Sequence, residues 1–167
     1  MSSRSLIPSA RFFGGAAVAA TLLFAATPGR AADGPFAALP GSWSGNGTVS
    51  LEGGTSERIR CRATYDLIGG GKNLQLAIRC ASDSYNFELM SSVVYDNGSI
   101  SGSWTEAVRN VSGRVTGRAS GNQIQAHAEG SSFSANLTLT TRGNNQSVAI
   151  KANGGGVTGV TISMARK

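Results

Sequence analysis

Histidine, cysteine and charge are all scarce in this chain. Its 167 residues include one histidine and two cysteines, and only 14% are Asp, Glu, Lys or Arg. One imidazole and two thiols cannot build a zinc site of four cysteines, or of two cysteines with two histidines. No EF-hand loop is present either, so neither a metal nor a cofactor is expected. A Ser-His-Asp triad would have to use His127 as its base. That residue sits in Gln125-Ala126-His127-Ala128 with polar parity, the pattern of an exposed side chain. No serine lies in a Gly-x-Ser-x-Gly elbow. The glycines of Gly45-Asn46-Gly47 and Gly69–Gly71 are not followed by the Gly-Lys-Ser/Thr of a phosphate loop. Nothing in the spacing of Glu57 and Glu106 pairs them as glycosidase carboxylates. Aromatic residues, 7% of the chain, are too few and scattered for base stacking. A non-catalytic protein with no nucleic-acid partner is therefore expected. The low charge also excludes a charge-rich disordered chain, and two cysteines exclude a disulfide-dense miniprotein.

What the chain has in excess is glycine, 23 residues, and one apolar run near its start. Arg4 and Arg11 precede the uncharged stretch Phe12–Ala26, and Pro28, Gly29 and the small residues Ala31 and Ala32 follow it. These are the three regions of a secretory signal peptide. The run is shorter than the ~20 residues a spanning helix requires. The reading is a cleaved signal over residues 1–32, bacterial in style, a loosely held lead-in over 33–40 and one domain over 41–167. Cleavage would remove three arginines and leave 12 basic against 9 acidic residues, so half of the +6 net charge belongs to the export signal. A periplasmic or extracellular protein is expected, with no stable membrane insertion.

From Trp43 onward the dominant pattern is period-two alternation, broken by Gly, Asn, Asp and Ser. Ile59, Cys61, Ala63, Tyr65 and Leu67 alternate with Arg60, Arg62, Thr64 and Asp66; Leu74, Leu76, Ile78 and Cys80 follow. Asp96-Asn97-Gly98 is a hairpin signal, because both central positions of a type I′ turn require positive φ. About ten short strands joined by short turns predict an all-β fold, a single antiparallel up-and-down barrel of about 8–10 strands, with a β-sandwich as the alternative. The glycines within strands fit bends in a curved sheet.

The cysteines set one register. Cys61 and Cys80 lie symmetrically about the Gly70–Gly71 bond. A turn centred there places Cys61 opposite Cys80, Ala63 opposite Ile78, Tyr65 opposite Leu76 and Leu67 opposite Leu74. Directly opposed Cβ atoms are about 4.5–5.5 Å apart, close to what a disulfide needs. Export to an oxidising compartment then predicts a structural Cys61–Cys80 disulfide. The same register opposes Arg62 to Arg79 on the other face, with Arg60 beside them. The two readings are a solvated outer face, with Asp66 or Glu57 compensating, and an anion site, since guanidinium forks suit carboxylates and phosphates.

Trp43 and Trp104 lie in the near-copies Gly41-Ser42-Trp43-Ser44-Gly45 and Gly102-Ser103-Trp104-Thr105-Glu106. Gly-x-Trp on the first strand of an exported all-β chain resembles the calycin superfamily of lipocalins and avidins. The resemblance implies that Trp43 closes one end of the barrel against an arginine near the last strand, here Arg166. No tryptophan after Trp104 supplies the further ones that avidins use, so biotin binding is not implied. From Gly41 onward, segments such as Glu57–Tyr65, Arg79–Tyr85 and Arg109–Gly113 are also similar to small exported proteins of alphaproteobacteria that carry no assigned function.

The leading functional expectation is an exported barrel that binds a small molecule in its lumen, with Trp43, Tyr65 and Trp104 as lining candidates and Arg62 and Arg79 as polar ones. The alternative is a structural or protein-interaction module of the cell envelope. The third reading, an outer-membrane barrel, requires an outward apolar band that Thr55–Cys61 and Gly113–Ser120 do not carry.

Overall fold

A computed structural model describes residues 34–167. The expected signal peptide, residues 1–32, lies outside the described residues.

Ten antiparallel strands follow one another without a helix between them. They are β1 (Gly41–Leu51), β2 (Ser56–Ile68), β3 (Asn73–Ala81), β4 (Asn86–Asp96), β5 (Ser99–Glu106), β6 (Val111–Ser120), β7 (Gln123–Gly130), β8 (Ser134–Arg142), β9 (Asn145–Asn153) and β10 (Val157–Arg166). Each pairs with its neighbours in sequence, and β1 pairs with β10 to close the barrel. This is the expected up-and-down barrel and not the sandwich. Closure leaves no strand edge unpaired.

The turns follow from local chemistry. Asn97 and Gly98 have φ of 46° and 91°, the left-handed pair that a type I′ turn demands. The β2–β3 connection is longer than two residues: the strands stop at Ile68 and Asn73, and Gly69, Gly70 and Gly71 all take positive φ. Because this loop is centred on the same point, the predicted register survives. Cys61 faces Cys80, Ala63 faces Ile78, Tyr65 faces Leu76 and Leu67 faces Leu74. Cys61 and Cys80 form a disulfide, a bond characteristic of proteins that mature outside a reducing cytoplasm.

Alternation assigns every strand an inner and an outer face. The inward set includes Trp43, Val49, Ile59, Tyr65, Ile100, Trp104, Val148 and Ile162, all buried. The outward set is Ser, Thr, Asn, Gln and Arg along most strands; the exposed large apolar residues are Ile68, Met90, Val94 and Val108. These four do not encircle the barrel, so the outer face lacks the apolar band of a membrane barrel.

One expectation is corrected by the packing. The described part of the lead-in, residues 34–40, is not loosely held: Phe36 and Leu39 are 0% and 1% exposed. A tight turn, with Ala37 N–H donating to Gly34 O and Leu39 N–H to Phe36 O, folds this segment into the end of the barrel. Two large apolar side chains one turn apart cannot remain in water when an aromatic-lined barrel end lies next to them.

Candidate functional site

The end of the barrel that holds Trp43 is a sealed plug. Trp43 is 1% exposed, and its indole N–H donates to Leu39 O at 2.8 Å. Its ring meets Tyr65 edge-on, with centroids 6.5 Å apart. The register places Trp43 opposite Arg166 across β1 and β10. The Arg166 guanidinium lies 4.4 Å from the Trp43 ring centroid and donates to the carbonyls of Pro40 and Ala38. Arg166 thus covers the Trp43 ring and also ties the Phe36–Leu39 turn to the wall. Phe36 in turn packs edge-on against Tyr95, with centroids 6.0 Å apart.

The polar atoms of the plug are satisfied from the opposite wall. Tyr65 Oη donates to Gln146 Oε1 at 2.8 Å, and Gln146 Nε2 donates to Thr141 Oγ1 at 3.3 Å. Burial raises the Tyr65 hydroxyl above its usual range, so it stays a neutral donor; its bond to Gln146 opposes that shift only in part. The sequence pattern singles out neither Gln146 nor Thr141. The signal available is their position: two polar residues at inward parity beside a tight turn.

The remaining tryptophan does something different. Trp104 lies in the row Trp104, Gly113 and Gly130 across β5, β6 and β7. A Cβ at Gly113 would fall 2.9 Å from Trp104 Cε2, and one at Gly130 would fall 3.1 Å from Cζ2. The two glycines are therefore the floor on which the indole rests. Its N–H donates to Arg114 O at 3.1 Å, and Phe133 packs edge-on at 5.8 Å. Trp104 is part of the wall.

Near it, Glu106 is buried, although nothing in its sequence context marks it as structural. It accepts from the backbone N–H of Glu88, Val108 and Arg109 at 3.1, 3.0 and 2.8 Å. Burial raises its pKa, but those three donors and the Arg109 guanidinium outweigh this and hold it below the ordinary glutamate value. It fixes the β5–β6 turn.

The five predicted ligand residues are therefore not gathered into one site. Trp43 and Tyr65 share the plug, Trp104 is in the wall, and Arg62 and Arg79 face outward, opposite each other across β2 and β3. Arg79 is paired with Glu88 at 2.5 Å. The compensation expected from Asp66 or Glu57 is absent: among the described residues neither forms an ion pair, and the Glu57 carboxylate is held by the hydroxyls of Ser82 and Ser84. His127 is on the outer face, between Asn136 and Glu129 at 2.9 and 3.0 Å; these hydrogen bonds raise its pKa.

Part of the inner wall is less buried than the plug. Inward-facing Leu76, Ile78, Leu89, Leu137, Ile150 and Val160 are only half-buried, and Ala126, Ala128 and Ala152 between them are small. All of them pack against the buried core. Every buried side-chain nitrogen or oxygen among the described residues has a hydrogen-bond partner.

The fold is a closed antiparallel ten-stranded barrel, with a tryptophan plug on the first strand and an arginine from the last strand over it. Solved structures agree on the fold. Rv2717c from M. tuberculosis is similar at 12% identity and a TM-score of 0.63, over 77% of this chain and 92% of that one. The S-type phycobiliprotein lyase CPES from Guillardia theta is similar at 10% identity and a TM-score of 0.55, over 77% and 88%. No family model matches the chain, and no curated protein matches it.

Proposed function

We infer that this protein is a non-catalytic, exported barrel that takes a small, neutral, apolar molecule into its lumen. The observation that carries this reading is the half-buried state of the inward Leu76, Ile78, Leu89, Leu137 and Ile150 beside a fully buried plug. Ten strands enclose a wider interior than the eight that side chains alone fill, and barrel mouths are frequent ligand sites. The satisfied polar groups support a ligand without a charged end inside. The disulfide and the export-signal pattern of residues 1–32 support a periplasmic or extracellular destination. One structural neighbour is named a lyase of phycobiliproteins; enzymatic activity is not part of the present reading.

Native mass spectrometry of the full chain exported by its own host tests it. A co-purifying small molecule, displaced by the neutral probe N-phenyl-1-naphthylamine, is the expected result. Ala126→Trp, which fills the lumen from β7, should abolish probe binding. Absence of saturable probe binding, or binding unchanged in Ala126→Trp, would count against a luminal site. A protein-interaction module is the second reading. It draws on the exposed Ile68 and Val94, which flank Asn73 on the outer face, and on Met90 further along β4.

A further inference from the structure

One concavity of this molecule lies on the outer face of the barrel. A groove of about 770 Å³ crosses the outer face of β1 to β4, and its lining includes the side chains of Arg60, Arg62, Arg79 and Lys167 against one side-chain carboxylate, Glu88. Its position follows from the register. Gly45, Cys61, Cys80 and Phe87 form one row at inward parity, with the side chains of Cys61, Cys80 and Phe87 turned inward. The rows on either side, Ser44-Arg62-Arg79-Glu88 and Asn46-Arg60-Ala81-Asn86, turn outward and make its two banks. The backbone N–H of Lys167 donates to Ser42 O, which seats its side chain at the β1 end of the groove.

The charges on these banks are not balanced. Glu88 engages Arg79 at 2.5 Å, but Arg60 and Arg62 form no ion pair among the described residues. Like charges directly opposed across a sheet are destabilising, and Arg62 and Arg79 are so opposed. Residues two apart on a strand lie about 7 Å apart on one face, so Arg60 and Arg62 present two guanidinium forks from opposite banks. Such forks bind carboxylate or phosphate in paired hydrogen bonds. The groove volume is that of a small-molecule site.

We propose that this groove is an anion site, separate from the lumen, for a small molecule carrying two phosphate or carboxylate groups, one held by Arg60 and the other by Arg62 with Arg79. The concave shape favours a discrete molecule over a flat anionic surface. The motif that opposes Arg62 to Arg79, costly for the sheet alone, is then explained by what it binds.

Inorganic pyrophosphate, titrated into the full chain by calorimetry at moderate salt, is the test. Saturable one-to-one binding is expected. Arg60→Gln with Arg62→Gln should weaken it about tenfold or more, the size expected for lost charge-assisted hydrogen bonds. Arg114→Gln with Arg118→Gln, exposed on β6, removes the same charge elsewhere and should leave it within about twofold, as long-range charge is screened in salt. Ala126→Trp should leave it unchanged, which separates this site from the luminal one. Thermal midpoints measured alongside show that each variant compared is folded. Absence of saturable binding, equal loss in both arginine pairs, or binding only to vesicles containing anionic phospholipid would each overturn the proposal.

Discussion

Trp43 and Leu137 both point into the same barrel, yet they have opposite surroundings. Around Trp43 the inward positions hold large aromatic groups, the turn at Phe36–Leu39 is inserted, and Arg166 holds the turn in place. Around Leu137 the inward positions are Ala, Leu, Ile and Val, no inserted segment among the described residues covers them, and the side chains remain half-buried. The alternation that builds both regions is the same. The difference lies in side-chain size and in one short segment that precedes the first strand. A barrel wall can thus be fully buried in one stretch and half-buried in another without any change of topology.

Truncating the two ends should separate them most clearly. Trp43→Ala should cost about 3–5 kcal/mol, as removal of a fully buried aromatic does. Leu137→Ala, already facing accessible lumen, should cost only about 1–2 kcal/mol, mostly lost transfer energy. Denaturant unfolding measures both; equal losses would remove the distinction between plug and lumen. Replacing both members of the wall disulfide, Cys61→Ala with Cys80→Ala, should cost about 2–4 kcal/mol. Arg166→Ala removes the cation–π pairing and two carbonyl contacts of the plug and should cost about 1–3 kcal/mol. It should also make the backbone amides of Ala37 and Leu39 exchange faster with solvent.

The smallest effect concerns the other end. The Glu106 carboxyl is held below the ordinary value of 4.5. Its contribution is therefore complete above that pH and is lost as pH falls through the lower folded-state value. Thermal midpoints should drop on acidification below about pH 4.5 in the parent chain, and less steeply in Glu106→Gln. Parallel profiles would show that Glu106 does not carry this part of the acid sensitivity.

Much of the wall was legible in the sequence. Period-two alternation marks the ten strands, and the symmetric spacing of Cys61 and Cys80 fixes one register to the residue. The Trp43–Arg166 closure came from resemblance, and the pairing of β1 with β10 supplies its cause. The plug was not legible. Phe36 and Leu39 precede the first strand in a short Gly- and Pro-containing segment, and only the position of the barrel end shows what they cover. The scattering of the five proposed ligand residues has a similar origin. Parity tells which side of a strand a residue faces, but its height along the barrel axis depends on every register at once. Trp43 and Trp104, alike in local sequence, thus reached different places.

The central claim is an apolar lumen that is accessible while the plug is sealed. Methyl-resolved NMR of the exported chain, titrated with N-phenyl-1-naphthylamine, tests it most directly. The account predicts saturable shifts at Leu76, Ile78, Leu89, Leu137 and Ile150, with Leu39 and Ile100 unmoved. Shifts confined to the outer Ile68, Met90 and Val94, or no shifts at any methyl, would contradict it.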